Sequence, residues 1–475
     1  MPGPATAILG ATVVPLDRPG TLPGWGVLVR DGTVVEMRPA EELPIPDGAE
    51  IVRAEGRYLL PGFVDMHVHI GFPALLQPAD SLDRESLIEE CAQDLSLYLA
   101  NGVTTVRNMS GAPFHLRLAA EIEAGRVLGP RLRTTSPILD GSPPVWSFSP
   151  EITDPSQARG AVEGIRDEGY EAIKVYNHLS AAVYEALAAE GRRVGLPVVG
   201  HVHFAVGIGG ALAAGQRSIE HFRGYDFDPD HPPGASGGPE RFRTWLSLTE
   251  RQLVAYAEAT RTAGAWNCPT LVTVDACASV AERGLDALPA TARYLAPGLR
   301  ETMVEGIRRP VFTADVMRTV GEGKLAQLRF LKLLHEAGNR LLAGTDASLL
   351  AIVPGFSIHD EMRNFVAAGL TPLEALTCCC RNPALFYGDE DAGRIGPGAR
   401  ADLVLLDADP LRDIAHTRRI AGVMANGRWL PVERLLAMLD GAKPGSVLAG
   451  PPPPDGRAGP NAFSHLSAGG HTDAA

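Results

Sequence analysis

The stretch that decides the fold is Leu59-Leu60-Pro61-Gly62-Phe63-Val64-Asp65-Met66-His67-Val68-His69. Its first part, residues 59–64, is an apolar run of the kind found in a buried parallel strand, and two histidines follow at 67 and 69. Lys174 lies inside a similar run, and further apolar runs precede His201 and Asp346. These polar groups therefore lie where buried parallel strands are expected to end. Barrel enzymes carry their catalytic residues at these strand ends.

The rhythm of the chain from Gly62 onward predicts an α/β protein built on a TIM-like (β/α)8 barrel. Short apolar strands alternate with loops and with helices of about ten to fifteen residues. The strand candidates lie near residues 62–67, 103–107, 131–135, 171–175, 197–201, 217–220, 265–270 and 340–344. Eight strand-helix units of this kind are typical of a (β/α)8 barrel.

Short β-prone runs also stand on both sides of the barrel segment. Residues 5–60 alternate such runs with turn residues such as Asp31-Gly32, and β-prone runs return at 401–406 and 422–427. We expect the two segments to join in one small flanking β-sandwich. A last segment, rich in Gly, Pro, Ala and Ser, is expected to be a disordered tail. The predicted domains are the first part of the sandwich (1–61), the barrel (62–395), the second part of the sandwich (396–432) and the tail (441–475).

The amino-acid composition limits the binding partners and the cellular compartment that we expect for this protein. The 475-residue chain is 45% hydrophobic, carries a formal net charge of −13 and has no basic run, which argues against nucleic acid binding. No apolar run approaches the roughly 18 residues of a membrane span, and the first residues lack the basic start of a signal peptide. The six cysteines are too irregularly spaced for a disulfide framework, and we interpret the consecutive Cys378–380 as packing residues. We expect a cytoplasmic homo-oligomer without a membrane partner.

Two pairs of histidines are candidate metal ligands. His67 and His69 are two residues apart, so on an extended strand they face the same side and could hold one ion. That spacing alone is weak evidence, because surface and core histidines also show it. His201 and His221 follow consecutive strands and could hold a second ion. His203 has the same parity as His201 and could compete with it, and we interpret His203 as a substrate contact and candidate catalytic residue.

Lys174 and Asp346 each allow two interpretations. A bare ammonium group on a buried strand is costly, so Lys174 either forms a salt bridge or, as a neutral amine, adds CO₂. The resulting carbamate has two oxygens that can bridge two cations. Asp346 is either an ordinary helix N-cap or a metal ligand that also accepts a proton from water.

Taken in order, these fragments resemble the amidohydrolase superfamily, and in particular its imidazolonepropionase and Xaa-Pro dipeptidase-like branch. The resemblance covers about residues 5–430 and implies a metal-bearing (β/α)8 barrel with a flanking β-sandwich. It is carried by residues 61–69, 102–107, 173–176, 200–203, 219–221, 344–346, 369–376 and 401–407.

The resemblance also implies a binuclear centre in which carboxylated Lys174 bridges two divalent cations. The other implied ligands are His67, His69 and Asp346 on one ion, and His201 and His221 on the other. We expect zinc, although these donors also suit manganese, iron or cobalt. The expected reaction is hydrolysis of a C–N bond in a small amide, such as a dipeptide or an N-acyl amino acid, by metal-bound hydroxide, with Asp346 as the proton acceptor.

Substrate contacts are predicted from polar and aromatic residues near the strand ends. Arg107 and Tyr176 could anchor a substrate carboxylate, or could pair with local backbone instead. The loops after the strands carry aromatic residues that indicate an apolar or aromatic pocket. These aromatic residues are Trp146, Phe148, Tyr225, Phe227 and Trp245.

Other functions stay open at this point. A cyclic-amide hydrolase or a deaminase would use the same barrel, although a mononuclear deaminase would not need Lys174. A non-catalytic scaffold would be marked by lost ligands, and all six ligand positions are filled. A carbohydrate or peptide binding module would leave the histidines unexplained.

Overall fold

The computed structural model describes residues 5–76, 84–226, 240–308 and 313–439. Phe227 and the predicted tail at 441–475 lie outside these residues. The strands, in chain order, are β1 (Ala5–Val13), β2 (Leu22–Arg30), β3 (Thr33–Pro39), β4 (Glu50–Arg53), β5 (Tyr58–Pro61), β6 (Phe63–Val68), β7 (Val103–Asn108), β8 (Arg131–Thr134), β9 (Ile173–Val175), β10 (Val198–Gly200), β11 (Ser218–Glu220), β12 (Trp266–Cys268), β13 (Arg340–Leu341), β14 (Leu403–Leu406), β15 (Ile420–Ala425) and β16 (Arg428–Pro431).

Helices follow most of the strands in the middle of the chain. They are α1 (Phe72–Leu75), α2 (Arg84–Ala100), α3 (Pro113–Glu123), α4 (Ala158–Glu168), α5 (Ala181–Val194), α6 (Gly207–Ala213), α7 (Glu240–Ser247), α8 (Glu250–Ala263), α9 (Leu271–Arg283), α10 (Pro297–Arg308), α11 (Ala314–Glu322), α12 (Lys324–Glu336), α13 (Ser357–Ala367), α14 (Pro372–Leu376), α15 (Asn382–Tyr387) and α16 (Val432–Leu439). This alternation of strand and helix agrees with the predicted α/β class.

All eight predicted strand positions of the α/β part are occupied, by β6 to β13. They pair in parallel as two sheets, β6-β7-β8 and β9-β10-β11-β12-β13. Strands β9 to β12 and β6 are fully buried, as expected for a parallel sheet covered by helices on both faces. Strand pairing therefore gives sheets of three and five strands where one eight-stranded barrel was predicted.

Backbone hydrogen bonds link the edges of these two sheets. On one side Ser136 N donates to Ala172 O at 2.8 Å. On the other side Met66 N donates to Ala343 O at 2.9 Å, and Asp346 N donates to His67 O at 2.7 Å. The residues after β13 bend away from regular pairing, since Asp346 has a φ of 62°. Because β13 ends at Leu341, the residues that lie beside β6 bond to it without forming a regular strand pair.

The strands before and after the α/β part belong to one sheet of eight strands. Its order is β16-β15-β14-β5-β1-β2-β3, with β4 paired to β1. Antiparallel pairing of β14 with β5, which sets Val404 against Leu60, joins the two ends of the chain. The apolar side chains of Ile8, Val27 and Leu403 are buried in its core. The predicted pairing of these two segments is present, within a single hydrogen-bonded sheet.

The cysteines are free and buried, in line with the packing interpretation. Cys378–380 lie in one π-helical turn, Thr377–Arg381, in the core between α14 and α15. Of the helices within the described ranges, none is long and apolar enough to cross a membrane.

Candidate metal centre

The carboxyl ends of the parallel strands bring five of the predicted ligands into contact. The His67 ring lies 5.4 Å from that of His69 and 4.5 Å from that of His221, and His221 lies 4.9 Å from His201, measured between ring centroids. Asp346 Oδ1 lies 2.9 Å from His69 Nε2 and 3.3 Å from His67 Nε2. These four histidines and the aspartate form one cluster, which we call the ligand cluster.

Lys174 is buried on β9 at this cluster, with 1% of its surface exposed. Its Nζ makes no hydrogen bond within the described part of the chain, so the salt-bridge interpretation is not supported. Burial lowers the pKa of Lys174 to about 8, although the nearby carboxylates of Glu220 and Asp346 oppose the shift. The positive charge of Lys174 in turn lowers the pKa of His67 and His201 beyond the effect of their burial. Burial therefore shifts both the amine of Lys174 and these imidazoles toward their neutral forms.

Each histidine of the ligand cluster is held through Nδ1. Burial lowers the pKa of His67, His201 and His221 well below the usual value, so these rings are neutral near pH 7. Since Nδ1 is engaged, Nε2 is the atom left to bind an ion. The Nδ1 contacts are His67 with Glu220 Oε2 at 2.7 Å, His69 with Ser110 Oγ at 2.9 Å, His201 with Asn177 Oδ1 at 2.8 Å, and His221 with Thr270 Oγ1 at 2.5 Å.

The sequence analysis missed these four orienting residues. Glu220 and Asn177 stand directly beside predicted site residues, so their positions alone could have marked them. Ser110 and Thr270 carry no such signal, because each reaches its histidine from a different strand-loop unit.

Arg107 lies inside the protein and balances the charge of Glu220. Its Nη2 donates to Glu220 Oε1 at 2.9 Å, and its Nε donates to Met66 O at 2.6 Å. The residue is buried, and Nη1 donates to Ser218 Oγ at 3.2 Å. With these donors committed, the geometry favours a structural role over the predicted carboxylate contact. Arg107 supports Glu220, which in turn orients His67.

Tyr176 and His203 differ in their relation to the ligand cluster. The Tyr176 ring stacks on His201 at 4.2 Å, and its hydroxyl accepts a hydrogen bond from Trp146 Nε1 at 3.1 Å. His203 instead contacts its own loop, where its Nδ1 accepts from Ala205 N at 3.3 Å. The structure thus brings Tyr176 to the cluster and leaves His203 in the loop after β10.

Asp346 is not the N-cap of a helix. The next helix, α13, begins at Ser357 after a different capping residue, so that interpretation is wrong. Asp65 fixes the neighbouring backbone, because its Oδ2 accepts from Thr345 Oγ1 at 2.6 Å and its Oδ1 from Thr345 N at 3.0 Å. Burial would raise the pKa of Asp346, but His221 and His69 outweigh it, so the pKa is lowered and the carboxylate is ionised.

These donors fit a divalent metal ion. One nitrogen of His67, one of His69 and one oxygen of Asp346 all lie within 4.8 Å of one another. His67 Nε2 and Lys174 Nζ are buried without a hydrogen bond to any described residue, a costly state that ligation would relieve. Nitrogen and carboxylate donors suit zinc and similar ions.

The aromatic residues predicted for the pocket divide into two groups. Trp146 and Phe148 lie 5.2 and 6.1 Å from Phe72, whose ring lies 5.8 Å from His69. We call Phe72, Trp146 and Phe148 the aromatic wall. Tyr225 and Trp245 are instead buried in the hydrophobic core, so their assignment to the pocket was wrong.

Thr270→Val tests the orientation of His221. Valine keeps the size and β-branching of threonine but removes the hydroxyl that contacts His221 Nδ1. Loss of such an orienting contact typically weakens metal binding by about 10- to 100-fold. Zinc titration against a competing chelator measures the change, and Thr262→Val on the exposed face of α8 is the control. Unchanged zinc affinity in Thr270→Val would contradict the orienting role.

The sequence model of the amidohydrolase family matches residues 58–430. Imidazolonepropionase of Acidiphilium cryptum (strain JF-5) is 28% identical over 256 residues, which cover 44% of this chain. The chain spans only 62% of that relative's length, and 61% of a second imidazolonepropionase, from Methylobacterium nodulans.

Solved structures resemble almost the whole described fold. Bottromycin amidohydrolase has a TM-score of 0.72 and 27% identity, over 93% of this chain and 90% of that one. A Xaa-Pro dipeptidase with methionine bound in its active site has a TM-score of 0.66 and 17% identity, over 90% of this chain and 100% of that one. The second likeness concerns the fold alone.

Proposed function

This chain belongs to the amidohydrolase family, and on that premise we propose that it hydrolyses a C–N bond of a small amide or peptide. Dipeptides and N-acyl amino acids are the proposed substrates. The observation that carries the proposal is the ligand cluster at one end of the parallel strands, with an ionised Asp346 and the neutral rings of His67, His201 and His221, and the buried Lys174 beside it.

The proposed centre holds two divalent cations, with zinc as the expected metal. His67, His69 and Asp346 would hold one ion, and His201 and His221 the other. The neutral amine of Lys174 would add CO₂, forming an N–C bond and releasing one proton, and the resulting carbamate would offer two oxygens as further metal ligands. The buried Nζ without a hydrogen-bonding partner supports this modification, because a carbamate would give that position two ligand atoms.

When bound, divalent cations would acidify the attacking water and polarise the carbonyl of the substrate. Asp346 accepts the proton of the attacking water on its free oxygen and delivers it to the leaving nitrogen, so amide and water become acid and amine. Glu220 and Thr270 keep His67 and His221 in place during this transfer. Tyr176, stacked on His201, and His203, in the loop after β10, remain proposed substrate contacts.

We also infer that β6 to β13 close into one (β/α)8 barrel over residues 62–395, with the sandwich formed by 1–61 and 396–432. The backbone hydrogen bonds across both gaps between the two parallel sheets support this closure. The cytoplasmic location and the homo-oligomeric state remain predictions.

Two alternatives make different demands on the same residues. A mononuclear deaminase of this family would give no purpose to a buried, unpartnered Lys174. A non-catalytic scaffold would not need the hydrogen bonds that hold the Nδ1 atoms of His67 and His201. A cyclic-amide hydrolase fits the cluster as well as an open-chain one does, and only the substrate separates them.

Metal content and turnover together test the proposal. After loading with zinc, we expect about two equivalents per chain, because six donors exceed what one tetrahedral ion needs. Elemental analysis measures the metal, and a library of dipeptides, N-acyl amino acids and cyclic amides measures hydrolysis. One equivalent with ammonia released from an amino-substituted ring would favour the deaminase. Two equivalents without turnover of any library member would favour the scaffold.

A further inference from the structure

Thr270 directly precedes α9, but its hydroxyl does not cap that helix. A threonine in this position usually accepts a hydrogen bond from a backbone N–H of the first helical turn. Other helices of the described part start after a serine or threonine that does so, namely Ser180, Thr249, Thr313 and Thr371. The Thr270 hydroxyl forms no cap hydrogen bond and contacts His221 Nδ1 at 2.5 Å instead. The usual cap of α9 is therefore diverted to the ligand cluster.

Glu361, on α13, takes the place of that cap. Leu271 N donates to Glu361 Oε1 and Val272 N donates to Glu361 Oε2, each at 2.9 Å. The glutamate side chain is fully buried. The third amide of the helix, Thr273 N, donates to Thr270 O at 2.9 Å. The backbone donors that a helix start leaves without intrahelical partners are thus satisfied without the Thr270 hydroxyl.

The backbone of Thr270 is held in a strained conformation. Its φ and ψ are both 49°, in the left-handed region. A β-branched residue keeps such a conformation only where the surrounding structure holds it. Before Thr270, β12 pairs in parallel with β11. After it, the two hydrogen bonds to Glu361 fix the start of α9. Glu361 therefore holds one of the two sides between which Thr270 is placed.

The packing of α9 on α13 does not depend on Glu361 alone. Asn364 Nδ2, one turn further along α13, donates to Asp275 Oδ2 on α9 at 3.0 Å. Buried apolar residues of both helices, among them Val274 and Ile358, belong to the same hydrophobic core. Substitution of Glu361 can therefore be studied in the folded protein.

We propose that Glu361 is a positioning residue of the metal centre, because it caps α9 and so leaves the Thr270 hydroxyl to orient His221. Without Glu361, the amide of Val272 would compete for that hydroxyl, since the second amide of a helix is a usual partner of a capping side chain. His221 would then lose the partner of its Nδ1. The inference rests on the proposed metal centre and extends it from the ligands to α13.

Glu361→Met tests the proposal, because methionine has a similar length but offers no oxygen to the amides of α9. We expect zinc binding, titrated against a competing chelator, to weaken by about 10- to 100-fold, the typical effect of losing the partner of a metal-binding histidine. Glu361→Gln keeps one acceptor oxygen and should lie between the methionine variant and the wild type, so it gives the same comparison if Glu361→Met does not fold. Glu374→Met is the matched control, since Glu374 Oε2 accepts from Thr371 N at 2.7 Å at the exposed start of α14.

A double-mutant cycle with Thr270→Val separates the proposed route from a general effect on packing. If Glu361 acts through Thr270, the variant that carries both substitutions binds zinc no more weakly than Thr270→Val alone. Zinc affinity in Glu361→Met equal to that of the wild type, despite a lower melting temperature, would overturn the proposal. Losses that multiply in the double variant would overturn it as well.

NMR spectra of isotope-labelled histidine rings in the metal-free protein make the test independent of the proposed centre. Thr270→Val identifies the His221 signal, because it removes the partner of Nδ1. The same signal should move in Glu361→Met and stay in place in Glu374→Met. If the wild type binds no zinc, the proposed centre fails, whereas an unmoved His221 signal in Glu361→Met would overturn the role of Glu361 itself.

Discussion

Lys174→Ala is expected to lose bound metal and activity together. The wild-type lysine is buried at the ligand cluster with its Nζ unpaired, and we propose that its carbamate bridges two ions. Removing that bridge leaves the two halves of the site with only imidazole and carboxylate donors. We expect the metal content to fall from about two equivalents to about one or fewer. Elemental analysis and turnover of a hydrolysed substrate measure the two losses in one preparation.

Rescue by short carboxylic acids distinguishes a bridging role of Lys174 from a packing role. Acetate or propionate can occupy the space that alanine leaves and offer two oxygens, so both should partly restore metal and turnover in Lys174→Ala. Lys174→Arg should gain nothing, since guanidinium stays protonated and fills the same space. Lys332→Ala, on the exposed part of α12, controls for the loss of a lysine elsewhere. Full metal and full turnover in Lys174→Ala would show that this lysine is structural.

The strands of the α/β part were predictable because burial on both faces leaves a continuous apolar run in the sequence. Val198–Gly200 is such a run and is followed at once by His201, and the apolar run at 59–64 precedes His67 and His69. The prediction extended β13 to residue 344, whereas the structure ends it at Leu341. Its regular pairing stops there because the chain turns toward Asp346, which a run of apolar letters does not reveal.

The candidate metal ligands were predictable for the same reason, but the residues that orient them through hydrogen bonds were not. A residue directly after a buried parallel strand stands at the carboxyl end of its sheet, whichever side chain it carries. Glu220 reaches His67 across 153 positions, and Thr270 reaches His221 across 49. Contacts of that length follow from strand order and side-chain direction, which a single sequence does not fix.

Arg107 shows why the parity of a residue on a buried parallel strand does not predict its role. When both faces of a strand are buried, alternation no longer separates an inward polar residue from one at the mouth. Arg107 stands on β7 and points to Glu220, so a plausible carboxylate anchor proved to be an internal counter-charge. The assignment of Tyr225 and Trp245 to the pocket was wrong for a similar reason, since aromatic residues in loops pack in cores as readily as they line pockets.

Asp346→Asn is expected to keep most of the metal and lose most of the turnover. Asparagine retains one oxygen for ligation and tolerates the left-handed backbone of this position, where φ is 62°. It cannot accept the proton of the attacking water, so kcat should fall by about 10²-fold or more, the usual range for loss of a general base.

The matched control for this substitution is Asp31→Asn. Asp31 has a φ of 50° and is exposed in the turn between β2 and β3, so the control makes the same chemical change on a similar backbone far from the ligand cluster. Metal content, melting temperature and kcat of both variants then distinguish the possible roles of Asp346. Parallel loss of metal and turnover would assign it to ligation alone. Wild-type kcat with retained metal would remove Asp346 from proton transfer, and another group would have to receive the proton that amide hydrolysis releases from water.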